Sequence, residues 1–335
     1  MSGHIDVITT TISGSIKDWG KVKHIVPLFN HYGETDVALF EVTSHLAARE
    51  KARELIQSGS RILISAGGSG TFNSVLEGCY DARVDLTDLR LGFLRKGSAD
   101  LIGKTLGMPD DIEQAVEVFV YAIRNNHTIP CDVLIAESGS GEPPPRHFVG
   151  YGGAEIFGEI PRYTENRFIK YYKGILGQLF GDLGPFFVGT NLAILGGLPR
   201  RMRGKKRQWE IRVDDSTVSR GVFQAMIIVN GDLGPNLPFA RLEPLGSGRF
   251  FLFIIRDRGI FNLYRQLKHA FDGSIMDDPI RWGFESFCVK KHLEMRLDCD
   301  ETFPVNVDGS IMECVSSARF RIIDQIHLFS NKKPF

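Results

Sequence analysis

Three glycines, two hydroxyl residues and an amide crowd into AGGSGTFN, Ala66 to Asn73, directly after the apolar run RILIS, Arg61 to Ser65. Glycine is favoured where φ is positive or where another group must come close to the main chain. A tight glycine turn that leads from a strand into a helix also leaves N–H groups pointing outward, and such groups bind anions. The chemistry this run suits is the holding of a phosphate. It is not a Walker loop, because no G-K-[ST] follows, and the spacing of Gly67, Gly68 and Gly70 is not that of a dinucleotide fingerprint.

Other residues carry chemistry of their own. Asp308 and Gly309 lie between FPVNV and SIMECV, and an Asp-Gly pair is either a two-residue hairpin turn or a carboxylate offered to a substrate. The run RRMRGKKR, Arg200 to Arg207, supplies Arg200, Arg201, Arg203, Lys205, Lys206 and Arg207, a cationic segment suited to anionic lipid headgroups. No aromatic residues interleave it, so nucleic acid is not the expected partner. Phe168, Tyr171 and Tyr172 read as core or as the wall of a cleft. His45 reads as a packed or capping residue, and the histidines show no paired metal-ligand spacing. Five cysteines are scattered without a C-x-x-C, which argues against a disulfide framework and against zinc.

These groups need elements to position them. His4 to Thr10, Asp36 to Thr43, Arg61 to Ser65 and Leu89 to Leu94 read as strands. SHLAAREKARELIQS has helical spacing with Ser44 as its N-cap, and another helix follows Met108–Asp110 and runs to about Asn125. Strands alternating with helices predict an open parallel sheet. Beyond about residue 128, runs rich in branched and aromatic residues recur between turn signals: at 128–135, 208–214, 222–230, 249–256, 303–308 and 318–324. They predict a β-sandwich. Helical spacing returns from Glu165 and from Gly259.

With these elements in place, GGSGTFNSVL resembles the G-G-D-G-T-x-N-E-V-x motif of the diacylglycerol kinase catalytic family, which includes bacterial lipid kinases and sphingosine kinases. Further segments fall in that family's order. ITTTISG sits where the family has N-P-x-S-G, VTSHLA resembles its T-x-x-x-H-A region, and LGFLRKGSADLIGKTLGMP its L-G-x-L-P-x-G-T-x-N-D-F segment. Asn230–Gly231, Pro238 to Ala240 and Asp308–Gly309 follow its N-G, P-x-A and D-G-E.

The resemblance implies an α/β N-terminal domain with a parallel sheet like those of NAD kinase and phosphofructokinase, residues 1–127. It implies a C-terminal β-sandwich for the lipid, residues 128–321, and a segment 322–335 that returns to the first domain. It implies ATP and Mg²⁺, with Thr10, Thr11, Ser13, Thr43, Gly67, Gly68, Ser69, Gly70, Thr71, Phe72, Asn73 and Ser98 around the nucleotide and Asp100 as a metal contact. Asp308 would face the attacking lipid hydroxyl. Glu313 would fold back toward Ser310, which stands where the family has the acid of D-G-E.

Ser69 likewise replaces the acid of G-G-D-G-T, and Leu101 the aspartate of N-D-F. The expected activity is therefore transfer of the γ-phosphoryl group of ATP to a diacylglycerol-like acceptor. The alternative is an impaired nucleotide- or lipid-binding protein on the same scaffold. An NAD kinase is disfavoured for want of an N-x-E element after the glycine turn. Forty basic residues balance forty acidic ones among 335, so no global field draws the protein to nucleic acid or membranes. The absence of a signal segment suggests a cytoplasmic protein with peripheral membrane contact.

Overall fold

The computed structural model describes residues 4–10, 19–95, 101–164, 190–194, 196, 206–235 and 237–332. The expectations placed on Thr11, Ser13, Ser98 and Asp100, on Phe168, Tyr171 and Tyr172, and on Arg200, Arg201, Arg203 and Lys205 lie outside the described residues. The chain divides into two compact units, residues 1–131 with 324–335, and residues 132–323.

In the first unit the order is β1 (Ile5–Thr10), α1 (Trp19–Val22), α2 (Ile25–His31), β2 (Val37–Val42), α3 (His45–Gln57), β3 (Ile62–Gly67), α4 (Ser69–Asp81), β4 (Arg90–Arg95), α5 (Leu101–Thr105) and α6 (Ile112–Arg124). The strands pair in parallel in the order β2-β1-β3-β4. A parallel strand covered on both faces is mostly apolar, and every residue of β1 and β3 is buried, Asp6, Thr9, Thr10 and Ser65 included.

Local chemistry sets the helix starts. Ser44 Oγ accepts the Ala47 N–H at 3.0 Å to cap α3, and Asp111 accepts the N–H groups of Glu113 and Gln114 to cap α6. Two glycines permit close packing. A Cβ on Gly78 of α4 would lie 2.2 Å from the Arg49 carbonyl oxygen of α3, and one on Gly92 of β4 would lie 2.6 Å from the Phe119 ring of α6. The last strand also adds to this unit, with His327 and Leu328 parallel to Arg90 and Leu91. Ser330 and Asn331 then bond the Leu106 carbonyl.

In the second unit, β5 (Thr128–Ser138) enters from the first, followed by β6 (Arg146–Phe148), β7 (Tyr151–Glu155), α7 (Ile156–Thr164), β8 (Trp209–Val213), β9 (Ser216–Gly221), β10 (Phe223–Val229) and β11 (Phe250–Arg256). Then come α8 (Ile260–Asp272), α9 (Pro279–Trp282), β12 (Phe284–Val289), β13 (His292–Leu297), β14 (Thr302–Val307), β15 (Ser310–Val315) and β16 (Ser317–Phe329). One antiparallel sheet runs β12-β11-β10-β7-β14-β15, and β16-β13-β8-β9 form a second.

A single core takes residues from both sheets, among them Met226, Ile228, Leu252 and Val305 from the first and Ile211, Leu293, Met295 and Phe320 from the second. Trp209 meets Phe303 edge-on at 4.8 Å within it. The fold class is thus an α/β parallel sheet followed by an antiparallel two-sheet domain. Among the described residues no helix is long and apolar enough to cross a membrane.

Gly78 tests the helix contact of the first unit. Gly78→Val should destabilise the protein by about 1–3 kcal/mol or more, because backbone rather than a flexible side chain must yield. Urea unfolding that leaves the midpoint unmoved would show that the two helices have room to separate.

Candidate functional site

In an open parallel sheet, ligands bind outside the carboxyl ends of the strands, where the strand order reverses direction. The order β2-β1-β3-β4 puts that point between β1 and β3. Thr10 ends β1, and Gly67 ends β3 one residue before Gly68, the N-cap of α4. The glycine run therefore lies where the topology alone would place a ligand.

No side chain caps α4, and its first turn holds no acid. The first N–H groups of a helix have no intrahelical partner and carry the positive end of its dipole. Behind them, Thr71 is buried in the first turn and its Oγ1 lies 2.9 Å from Thr10 Oγ1, which ties the end of β1 to the start of α4. The Phe72 ring is buried against Phe93, with centroids 5.1 Å apart, and anchors the helix to the sheet. Asn73 is buried, while Gly68, Ser69 and Gly70 are half-buried. Gly68 has open space where a Cβ would project.

Thr43 is exposed just past the end of β2, next to the Ser44 cap. His45 belongs with this group although the sequence suggested only packing or capping. Its ring lies against the glycine turn, 2.8 Å from where a Cβ on Gly70 would stand. Arg95, which drew no attention in the sequence, ends β4 in register with Gly67. It is buried, donates to the Met108 carbonyl at 3.1 Å and pairs with Asp110 at 2.7 Å. An arginine closing an otherwise apolar strand core was the available signal.

In the second unit the Asp-Gly pair is the turn of the β14–β15 hairpin. Val307 faces Ser310 across it, and both Asp308 (φ 45°) and Gly309 (φ 88°) take the left-handed conformation of a two-residue turn. The carboxylate does more. Asp308 is only 1% exposed, and its oxygens accept the N–H groups of Val149 at 2.9 Å, Gly150 at 3.2 Å and Tyr151 at 2.7 Å. Asn230 secures the same stretch by donating to the Val149 and Asp132 carbonyls, each at 2.8 Å.

The expectation that Asp308 faces an attacking hydroxyl is corrected accordingly: its oxygens face backbone donors. Glu313 is corrected too. It lies three residues beyond Ser310 on β15, an odd step that turns it to the opposite face, and it pairs with Arg162 at 2.5 Å. Among the described residues no group of three or more His, Cys, Asp or Glu side chains gathers to hold a metal.

The second unit also contains a small apolar pocket partly open to solvent. Ile156, Phe157 and Ile160 of α7, Ile227 of β10, Phe239 and Leu267 of α8 are among its walls. The lining suits an apolar group.

Residues 4–134 match the family model of the diacylglycerol kinase catalytic domain. That is the family whose motifs the glycine turn and its neighbours resemble. A diacylglycerol kinase of Staphylococcus haemolyticus (strain JCSC1435) is 26% identical over 272 residues, covering 78% of this chain and 72% of its own. A diacylglycerol kinase of Staphylococcus carnosus (strain TM300) is 26% identical over 198 residues, 55% of this chain and 59% of its own. A crystal structure of a diacylglycerol kinase from Bacillus anthracis str. Sterne is similar over 98% of this chain and 97% of that one, with a TM-score of 0.64 at 16% identity. At that identity the likeness is one of fold. Against the diacylglycerol kinase motif, the site departs at Ser69, the first residue of α4, and at Ser310, the first residue of β15.

Asp308 makes a measurable contribution. Burial pushes its carboxyl up to about 6, although the three N–H donors pull the other way. A folded-state pKa above the unfolded value means that the stability gained is fully present below about pH 4 and is lost as pH rises through about 6. The swing is on the order of 3 kcal/mol. Asp308→Asn should remove this slope and also cost about 1–3 kcal/mol, because an amide NH₂ would meet backbone donors. Chemical unfolding of both proteins from pH 4 to 7 measures it; parallel curves would mean that the carboxyl titrates normally.

Proposed function

We propose that the protein is an ATP-dependent lipid kinase, which transfers the γ-phosphoryl group of ATP to the hydroxyl of a diacylglycerol-like acceptor. The observation that carries the reading is the uncapped N-terminus of α4, set in a glycine turn at the switch point of a sheet whose residues match the diacylglycerol kinase catalytic domain. N–H groups of the turn hold the phosphates, and Thr10 and Thr71 fix the backbone behind them. His45 borders the same turn. The apolar pocket of the second unit takes an acyl chain of the acceptor. Asp308 acts at a distance from the reacting atoms, by fixing the backbone of Val149–Tyr151.

Phosphoryl transfer depends mainly on positioning and on neutralising phosphate charge, usually with Mg²⁺. The described side chains offer no carboxylate cluster for that ion, so none of the steps assigned to these residues runs through it.

A second reading has its own observation. Ser69 replaces an acid at the start of α4, and Glu313 faces away from Ser310 toward Arg162. A serine at the start of a helix leaves the anion site free of like-charge repulsion, yet it supplies neither a metal ligand of full charge nor a proton acceptor. Such a site favours holding a nucleotide over turning it over. Loss of a general base costs about 10²- to 10⁴-fold in rate.

Calorimetry of ATP binding beside a radiolabel transfer assay with a lipid extract separates the two readings: transfer supports the kinase, and binding without transfer under varied metals supports the binder. Gly68→Val should weaken binding at least about tenfold, since its side chain would enter the space before the N–H groups, while the melting temperature stays nearly constant. Normal affinity in that variant would remove the glycine turn from the site. Ser69→Asp should weaken ATP binding without metal and strengthen its dependence on Mg²⁺. With Ser310→Glu added, turnover should rise, and a flat result would show that these two positions do not limit the rate.

A further inference from the structure

The imidazole of His45 is seated on the glycine turn. Its Cε1, Nε2 and Nδ1 atoms lie 2.8, 3.1 and 3.6 Å from where a Cβ on Gly70 would stand, so the ring takes the place that a side chain at 70 would need. His45 is the first residue of α3 and Gly70 the second of α4, and both helices follow parallel strands of one sheet. The contact therefore joins two helix N-termini. No acid stands in the first turn of either helix, and the positive ends of two dipoles attract an anion while repelling a lone cation. An imidazolium is stable there in the company of an anion. His45 is also exposed, so a ligand that reaches the turn can meet it.

The charged groups on the surrounding elements have partners of their own. On α3, Arg49, one turn beyond His45, donates to Asp81 of α4 at 2.8 Å and lies 3.7 Å from the buried Glu77. Arg95, which ends β4, pairs with Asp110 at 2.7 Å. The last acid of β2 is the exposed Glu41. Thr9 and Thr10 of β1, Ser65 of β3, and Ser69 and Asn73 of α4 are uncharged. Ser69 stands directly before Gly70, where the diacylglycerol kinase motif has an acid able to compete for an imidazolium. Serine leaves that charge to a ligand.

We propose that His45 is a phosphate-binding residue of this chain. As phosphate settles at the glycine turn, a proton from solvent converts the ring to imidazolium, and a ring N–H donates to a phosphate oxygen. The proton returns to solvent when the anion leaves. Neutral imidazole has one N–H donor and imidazolium two, and a hydrogen bond between charged partners is about twice as strong as a neutral one. Triphosphate affinity therefore rises as pH falls through the imidazole range. The proposal rests on the reading that the turn holds nucleotide phosphates, and adds to it a side chain and the sign of a pH dependence.

Calorimetry of ATP binding to the full chain in the presence of a chelator, from about pH 5.5 to about pH 8.5, compares the wild type with His45→Gln. Titration of the nucleotide itself cancels in the ratio of affinities. The wild type should bind at least about tenfold tighter than the variant at the acid end and equally at the alkaline end. His45→Lys should bind tightly across the range, and Gly70→Ala, whose methyl displaces the ring, should lose the pH dependence.

The wild type alone supplies a second readout, the Cε1 proton of His45 in NMR spectra, identified by its loss in His45→Gln. Bound ATP should raise the titration midpoint of that proton by the factor by which protonation raises affinity, because coupling between two binding events is reciprocal. A ratio of affinities equal at every pH, or a midpoint that bound ATP does not move, would overturn the proposal and leave the ring a packing group. Inorganic tripolyphosphate in the same NMR titration separates this from failure of the nucleotide reading. A midpoint moved by tripolyphosphate in a protein that does not bind ATP would sink the nucleotide site and leave His45 as an anion ligand, whereas a wild type that responds to neither ends both.

Discussion

Asp308 sends a buried carboxylate into the N–H groups of Val149, Gly150 and Tyr151, while Asn230 reaches the Val149 carbonyl from another strand. Backbone polar groups that sheets and helices leave over must find partners, or the fold loses the energy of desolvating them. The second unit meets that demand with carboxylates set in turns. Asp214, in the β8–β9 turn, accepts the N–H groups of Lys290, Lys291 and His292. Asp232 accepts those of Gly234 and Leu242, and Asp132 that of Gly248. Residues that look like chemistry in the sequence are here the fasteners of loops.

The first unit handles one such set of donors differently. Ser44 and Asp111 cap α3 and α6 with their own oxygens, but no side chain caps α4. It starts at the reversal point of the sheet, behind a pair of hydrogen-bonded threonines. The glycine turn, which no side chain of its N-cap closes, is the anion site we propose.

Much of this was legible from residue order. The apolar runs of β1 to β4 and the Ser44 cap placed the parallel sheet, because strands buried on both faces carry an unbroken signal. The strands β8, β10, β11 and β14 were read from branched and aromatic runs. Others escaped for stated reasons. The strand β7, YGGAE, holds Gly153, where a Cβ would stand 2.0 Å from the Met226 carbonyl oxygen; close sheet packing demanded the residue type that looks least like a strand. The strand β13, HLEMRL, alternates cleanly but has no β-branched residue. Missing β15 left Glu313 without a face, so its turn away from Ser310 could not be foreseen. For Asp308 the sequence contained both readings, and only distance to Val149, Gly150 and Tyr151, far away in the chain, distinguishes them.

One strand belongs to both compact units. The early part of β16 pairs with β13, where His292 faces Arg321, and its end pairs with β4, where His327 faces Arg90. On the ribosome, the parallel sheet therefore lacks a member until residue 329 has emerged, long after β1 to β4 have been made. The parallel sheet thus gains its last member only after the whole β unit has been synthesised, unlike that of an independent module made first in tandem.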